Sequence, residues 1–343
     1  MGSKTRKKRR KVVGKVFLVI GLILSISIGS LAATVVHKSD SMLGLINYDE
    51  KNDLDGMDLS KYKLDKDTEV VNVLLVGADK NPDEQDKKGA ERRSDSMMIA
   101  TLDIKHSKLK ITSLMRDMYV SIPGYGKNKI NAAYSFGGIK LLYETIAENF
   151  GIKMDGYAEV NFDAFVNIID QIGGIEVTLT ESEATNLNHT NYIKRKKYRN
   201  LKVGTQVING YQALGYCRIR HGKKQANGRY PGVYTASGKG DDYGRTERQR
   251  LTIDAILKKV KTMAPGDLLK LAEVVLPNIK TDLSKNEIYT YLMTVVQMGT
   301  TELHQYSLPI EGGFTSQTIN GQDCLVPDLE ANKAALKKFL FKS

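Results

Sequence analysis

Residues 97–117 read MMIATLDIKHSKLKITSLMRD: an apolar run of strand length (97–102), a polar break, a second run (108–114), and then Arg116 and Asp117 directly after it. Another run, VVNVLLV (70–76), lies upstream, and YAEVNF (157–162) and IEVTL (175–179) follow downstream. Between and beyond them stand segments of helical pattern: INAAYSFGGIKLLYETIAENF (130–150), AFVNIIDQI (164–172), LLKLAEVVLPNI (268–279), NEIYTYLMTVVQMG (286–299) and a last one near 328–341. A further strand-like stretch, ELHQYSL (302–308), precedes that last helix. Strands separated by helices predict an α/β fold, a three-layer α/β/α sandwich with a central mixed sheet. Without a second linker in it, residues 70–343 read as one domain.

The charge is not spread evenly over the 343 residues. The formal net charge is +12, yet residues 1–15 hold eight Lys and Arg and no acid, leaving about four net charges for the rest. Residues 16–36, VFLVIGLILSISIGSLAATVV, follow with no charge over 21 positions, where roughly 20 span a bilayer. The basic flank predicts a cytoplasmic N-terminus, one transmembrane helix over 16–36, and export of everything after it. A cleaved signal peptide, with Ser30-Leu31-Ala32 as its processing site, is the alternative. Both readings put the domain outside the cell and exclude nucleic acid as its partner. Residues 37–69, polar and without apolar periodicity, read as a stalk. Cys217 and Cys324 are too few for a disulfide framework and read as buried thiols, with a single bridge as the alternative.

Polar residues at strand ends mark where chemistry could sit, because ligands of open α/β sheets bind beyond the carboxyl ends of strands. Asp79 follows the first run, Arg116 and Asp117 follow KLKITSL, and Arg93-Ser94-Asp95 lie just before MMIATL. Asp79 and Asp95 would offer hard oxygen donors to Mg2+ or Mn2+ if their loop folds back; from spacing alone, solvated loop acids are the favoured reading. In YCRIR (216–220), Arg218 and Arg220 alternate, so on a strand they share one face. In DYGRTERQR (242–250) a helix beginning after Asp242 puts Arg245 and Gln249 on the stripe of Ile253, Ile256, Leu257, Val260 and Met263, with Arg248 and Arg250 flanking it. An inward arginine needs a partner. An anionic ligand at the helix N-terminus and an internal pair with Asp242 or another acid both supply one. Lys129 adds a cation before the helix at 130. HExxH, GxSxG and the phosphate-loop motif GxxxxGK[ST] are absent, and the five histidines have no metal-ligand spacing.

Taken in order, NVLLVGADK, RRSDSMM, SLMRDMYVSIP, KINAAYSFGG, ALGYCRIRH and DYGRTERQR resemble the LytR-CpsA-Psr family of envelope proteins, over roughly residues 70–263. That resemblance implies an α/β/α sandwich anchored in the cell membrane. It implies a phosphotransferase that moves a glycopolymer, such as teichoic acid or capsular polysaccharide, from a polyprenyl diphosphate carrier onto peptidoglycan. It further implies that Asp79 and Asp95 bind Mg2+ or Mn2+, and that Arg93, Arg116, Lys129, Arg218, Arg220, Arg245 and Gln249 surround the diphosphate. Arg116, Asp95 and Asp242 are then the catalytic candidates, with Asp95, Asp117 and Asp242 as possible bases by residue type.

The chain departs from the family pattern at two places. Met115 stands where proline commonly precedes Arg-Asp, and residues 221–241, rich in Gly, Lys and Tyr, replace a much shorter connection. The composition of 221–241 suggests a mobile flap, as a bland insertion or as a contact to acceptor glycan. Two other functions fit the same residues: a hydrolase of polyprenyl-diphosphate glycans, and a non-catalytic envelope regulator.

Overall fold

The computed structural model of the chain describes residues 47–48, 54, 57–78, 94–263, 267, 270–271, 276–299 and 302–342. The basic segment 1–15, the apolar segment 16–36, Asp79 and Arg93 lie outside these residues. Among the described residues no helix is long and apolar enough to cross a membrane.

In chain order the elements are β1 (Asn47–Tyr48), β2 (Val70–Ala78), β3 (Ser94–Asp103), β4 (Lys108–Leu114), β5 (Tyr119–Ile122), β6 (Gly126–Lys129), α1 (Ile130–Phe150) and β7 (Gly156–Asn161). They continue with α2 (Phe162–Gln171), β8 (Ile175–Leu179), α3 (Glu181–His189), β9 (Gly204–Ile208), α4 (Gly210–Arg218) and α5 (Asp241–Lys261). The last are β10 (Ile279–Thr281), α6 (Lys285–Met298), β11 (Leu303–Leu308), β12 (Phe314–Ile319), β13 (Gln322–Pro327) and α7 (Leu329–Phe341). The chain divides into two compact units, Leu45–Asn161 with Asn278–Ser343, and Phe162–Pro277.

The first unit is built on a mixed sheet of seven described strands in the order β1-β10-β7-β2-β3-β4-β11. β2 and β4 are each antiparallel to β3, while β2 is parallel to β7 and β4 to β11. Side chains alternate between sheet faces, and in β4 every residue from Leu109 to Leu114 is buried, so both faces are covered. Val71, Val73, Leu74, Ile99 and Ile111 form the centre of this core, each contributing about 1.5–3 kcal/mol by burial. Burial pushes the Asp103 carboxyl up, but hydrogen bonds from Lys110 and His106 outweigh it and hold it below its usual value. Lys110 Nζ lies 2.7 Å from Asp103 and also donates to the Phe339 and Leu340 carbonyls, at 2.8 and 3.0 Å. A cation at the last carbonyls of α7 matches the negative end of that helix and fixes it to the sheet.

The polar pattern of 37–69 predicts a stalk, but its described part is tied to the fold. β1 pairs with β10, Asp65 bridges Ile152, and Lys337 Nζ lies 2.7 Å from the Asp65 carboxylate. A two-residue strand has no periodicity to betray it.

In the second unit β8 and β9 form a separate antiparallel pair. α4 packs on α2, and α5 packs on β8 and α4. The stretch YCRIR is not a strand, because Arg218 ends α4 and Arg220 lies beyond it. Asn209 caps α4 by accepting from the Gln212 N–H while the Gln212 side chain accepts from the Asn209 N–H, so a closed capping box commits the segment to helix. Cys217 and Cys324 are both free and buried.

Candidate functional site

One edge of the first unit's sheet gathers the polar residues that the strand ends carry. β3 runs antiparallel between β2 and β4, so the C-terminal ends of β2 and β4 meet the N-terminal end of β3 at that edge. Asp95 lies inside β3 rather than ahead of it. Gly77 pairs with Ser96 and Ala78 with Ser94, which leaves Asp95 as the extra residue of a β-bulge beside the end of β2. Bulges commonly break a ladder next to an active site.

Arg116 and Asp117 occupy the tight turn after β4, closed by the Met118 N–H donating to the Met115 carbonyl at 3.1 Å. The β5–β6 hairpin then returns the chain, pairing Tyr119 with Lys129. This brings Lys129 Nζ to 2.6 Å from Asp117 Oδ1, while Arg116 Nε stands 3.6 Å from Oδ2. Asp117 is buried, and Arg116 and Lys129 are about a fifth exposed, with side chains at 23% and 16%. At the start of α1 the Ile130 and Asn131 N–H groups donate to the Met118 and Arg116 carbonyls, which fixes the helix entry against the same turn. Two cations are thus held at a sheet edge by one buried carboxylate.

The second unit holds a matching arrangement around Asp242. Arg245 Nη1 lies 3.0 Å and Arg220 Nε 3.3 Å from Asp242 Oδ1. Arg245 and Asp242 are almost fully buried, whereas the Arg220 side chain is 34% exposed. The Arg218 guanidinium sits over the Phe162 ring, 5.0 Å from its centroid, in a cation–π contact. Gln249 donates to the Cys217 carbonyl at 3.4 Å. The inward phase of Arg245 is as the helical stripe predicts, and an acid, Asp242, is one of its partners.

The stripe misplaces Arg248 and Arg250. Arg248 is wholly buried and Arg250 only 5% exposed. Arg248 donates through Nε to Glu183 at 2.7 Å, through Nη1 to the Ile219 carbonyl at 3.1 Å, and through Nη2 to the Val233 carbonyl at 2.9 Å. A one-sided stripe assumes one-sided packing, but the segment before α5 folds back over its first turns. Gly244 permits this, since a Cβ there would lie 2.6 Å from the Lys239 carbonyl oxygen. Residues 221–241 are accordingly not a loose flap. Gly222 donates to the Pro231 carbonyl at 2.7 Å, His221 bridges Gly232, and Ser237 donates to Glu247 at 2.7 Å.

Arg248, Glu183 and Phe162 escape a reading that ranks arginines by helix phase. The signal for Glu183 is present in Thr180-Glu-Ser-Glu183, a capping-box pattern that the structure closes at α3. Among the described residues no cluster of three or more metal-ligating side chains occurs.

The model of the LytR_cpsA_psr family matches residues 32–339. The chain belongs to the LytR-CpsA-Psr family. Among its relatives in that family, a protein of Bacillus mycoides named polyisoprenyl-teichoic acid–peptidoglycan teichoic acid transferase TagU is 30% identical over 286 residues, 82% of each chain. Regulatory protein MsrR of Staphylococcus aureus is 30% identical over 274 residues, 79% of this chain and 74% of that one. The solved structure of protein gbs0355 from Streptococcus agalactiae is similar with a TM-score of 0.61 and 26% identity, covering 80% of this chain and 88% of that one. The mixed α/β fold with a central mixed sheet is the fold that the chain shares with that structure.

Proposed function

We propose that this chain transfers a glycopolymer from a polyprenyl diphosphate carrier to peptidoglycan, joining the two through a phosphodiester. The observation that carries this reading is the relationship to TagU across 82% of both chains, whose name states transfer of teichoic acid from a polyisoprenyl-linked form to peptidoglycan. The residues assigned to the diphosphate are Arg93, Arg116, Lys129, Arg218, Arg220, Arg245 and Gln249. A polymer hydroxyl of peptidoglycan attacks the sugar-side phosphorus, the bond from that phosphorus to the bridging oxygen breaks, and polyprenyl phosphate leaves with the electron pair. The hydroxyl proton ends on the departing phosphate or on solvent.

Phosphoryl transfer asks for positioning and charge neutralisation more than for a strong base. Arg116 and Lys129 supply that charge from the sheet edge. Asp117 and Asp242, each engaged by two cations, hold those cations in place and are not the base. Asp79 and Asp95 are the proposed metal ligands. Two carboxylates fit a hard cation such as Mg2+ or Mn2+, and Asp95 stands at the bulge beside the end of β2. When bound, such a cation adds positive charge to neutralise the diphosphate.

The same reading takes residues 16–36 as a membrane anchor, 1–15 as its cytoplasmic flank, 37–69 as the connection and 70–343 as an extracellular catalytic domain, a three-layer α/β/α sandwich. A reporter fused after Ser343 is then extracellular, and a cytoplasmic reporter contradicts the assignment. The bond cleaved is tested with donor carrying 32P on one phosphorus at a time. Label from the sugar-side phosphorus belongs in the peptidoglycan adduct, and label from the lipid-side phosphorus in polyprenyl phosphate. The reverse distribution rules the mechanism out.

A further inference from the structure

Tyr234 is 54% exposed, yet it is fixed wherever it meets the protein. Its N–H donates to Ser182 Oγ at 3.2 Å, and its carbonyl accepts from Thr180 Oγ1 at 2.8 Å and Ser182 Oγ at 3.3 Å. Its ring lies between two glycines: a Cβ on Gly232 would stand 2.5 Å from its Oη, and one on Gly240 2.9 Å from its Cε1. The residues on either side are buried and tied to α5, Val233 through Arg248 and Thr235 through Glu247 at 2.5 Å. An exposed tyrosine ordinarily keeps rotamer and loop freedom that a ligand must remove. Here that ordering cost is already met in the free protein.

Tyr230, 52% exposed, stands on the adjoining arm with its ring 4.2 Å from that of His221 and Lys224 Nζ 5.8 Å from its centroid. The arm is closed by its own hydrogen bonds, with Gln225 donating to the Arg229 carbonyl at 2.8 Å. Residues 221–240 carry four Lys and Arg, at 223, 224, 229 and 239, and no acid, and all four cations are exposed. Tyrosine rings that are held in place and more than half exposed suit the C–H faces of sugars, as they suit the faces of other flat ligands. A one-signed set of exposed cations suits a chain of phosphates and favours it over a neutral polymer.

We propose that residues 221–240 form a docking surface for a phosphate-bearing glycan chain. Tyr230 and Tyr234 meet sugar faces, and Lys223, Lys224, Arg229 and Lys239 pair with phosphates. The identity of that chain as the transferred polymer rests on the transferase reading; the surface itself does not.

The test uses the full chain in detergent, with poly(glycerol phosphate) bearing sugar substituents as the probe and neutral dextran and inorganic pyrophosphate as comparisons. Tyr234→Ala weakens binding of the probe about tenfold, the loss of one stacked contact. Tyr234→Phe retains it, because the ring face and not the hydroxyl is used. Lys223→Gln with Lys224→Gln weakens it about tenfold at low salt and less at high salt, where such exposed charges are screened. Equal affinity in wild type and these variants, or equal affinity for dextran, overturns the proposal. If Tyr234→Ala does not fold, the lysine pair, exposed and outside the core, decides alone. Probe binding that follows this pattern in a protein that neither binds pyrophosphate nor transfers polymer leaves the docking surface standing and removes the transferase reading. The opposite pattern does the reverse.

Discussion

Arg248 Nε lies 2.7 Å from Glu183 Oε1, and the two side chains are 0% and 1% exposed. Glu183 Oε2 also accepts from the Thr180 N–H at 2.9 Å, and Arg248 reaches the carbonyls of Ile219 and Val233. One guanidinium therefore joins the cap of α3, the residue between Arg218 and Arg220, and the 221–241 segment.

Breaking that pair leaves a buried charge without compensation, which costs about 3–5 kcal/mol. Arg248→Met should lower unfolding stability by that order in guanidinium titrations. Glu183→Gln, which keeps the Thr180 cap, should restore part of the loss when combined with it. A double variant no more stable than Arg248→Met alone would show that the ion pair is not what the segment depends on.

The strands were legible from mainly apolar runs at 70–76, 97–102 and 108–114, and Arg116-Asp117 was legible as a strand-end pair. The extension of β3 back to Ser94, which takes in Asp95, was not, because Ser94-Asp95-Ser96 carries no apolar signal. What holds Arg116 was not: the approach of Lys129 to Asp117 depends on a hairpin, and hairpin register is not written in apolar periodicity. Arg218-Ile219-Arg220 alternates like a strand, but the capping box from Asn209 to Gln212 decides for helix. The burial of Arg248 depends on a segment that folds back over α5. No periodicity within α5 records what lies on its far side.

Burial pushes the Cys217 thiol up to about 12 from 9.0. Its folded pKa is raised, so its contribution to stability is full below pH 9 and is lost as pH rises from there through about 12. Melting temperature should fall over that window, and Cys217→Ala should reduce the slope. In native protein at pH 8 neither buried thiol should react with a thiol reagent, and both should react after denaturation. Rapid native labelling of Cys217 would contradict its packing.

Arg116→Ala removes a cation from the sheet edge and should slow release of polyprenyl phosphate by about a hundredfold to a thousandfold. Asp117→Asn leaves that cation in place but loosens Lys129, so a smaller loss, about tenfold to a hundredfold, is expected. Single-turnover rates rank the two. A larger effect for Asp117→Asn would move the chemistry to the aspartate.

Dialysis against EDTA should abolish transfer, and Mg2+ or Mn2+ should restore it. Asp95→Asn should raise the Mn2+ dissociation constant measured by electron paramagnetic resonance, with no substrate present. Unchanged Mn2+ binding in this variant would remove Asp95 from the metal site.

The most direct measurement supplies the purified full chain with a polyprenyl diphosphate-linked glycan, Mg2+ and peptidoglycan oligomers, and analyses the products by mass spectrometry. A glycan–peptidoglycan adduct joined through one phosphate, formed in step with polyprenyl phosphate, is the predicted result. Free sugar phosphate with no adduct would show water as the acceptor and contradict transfer.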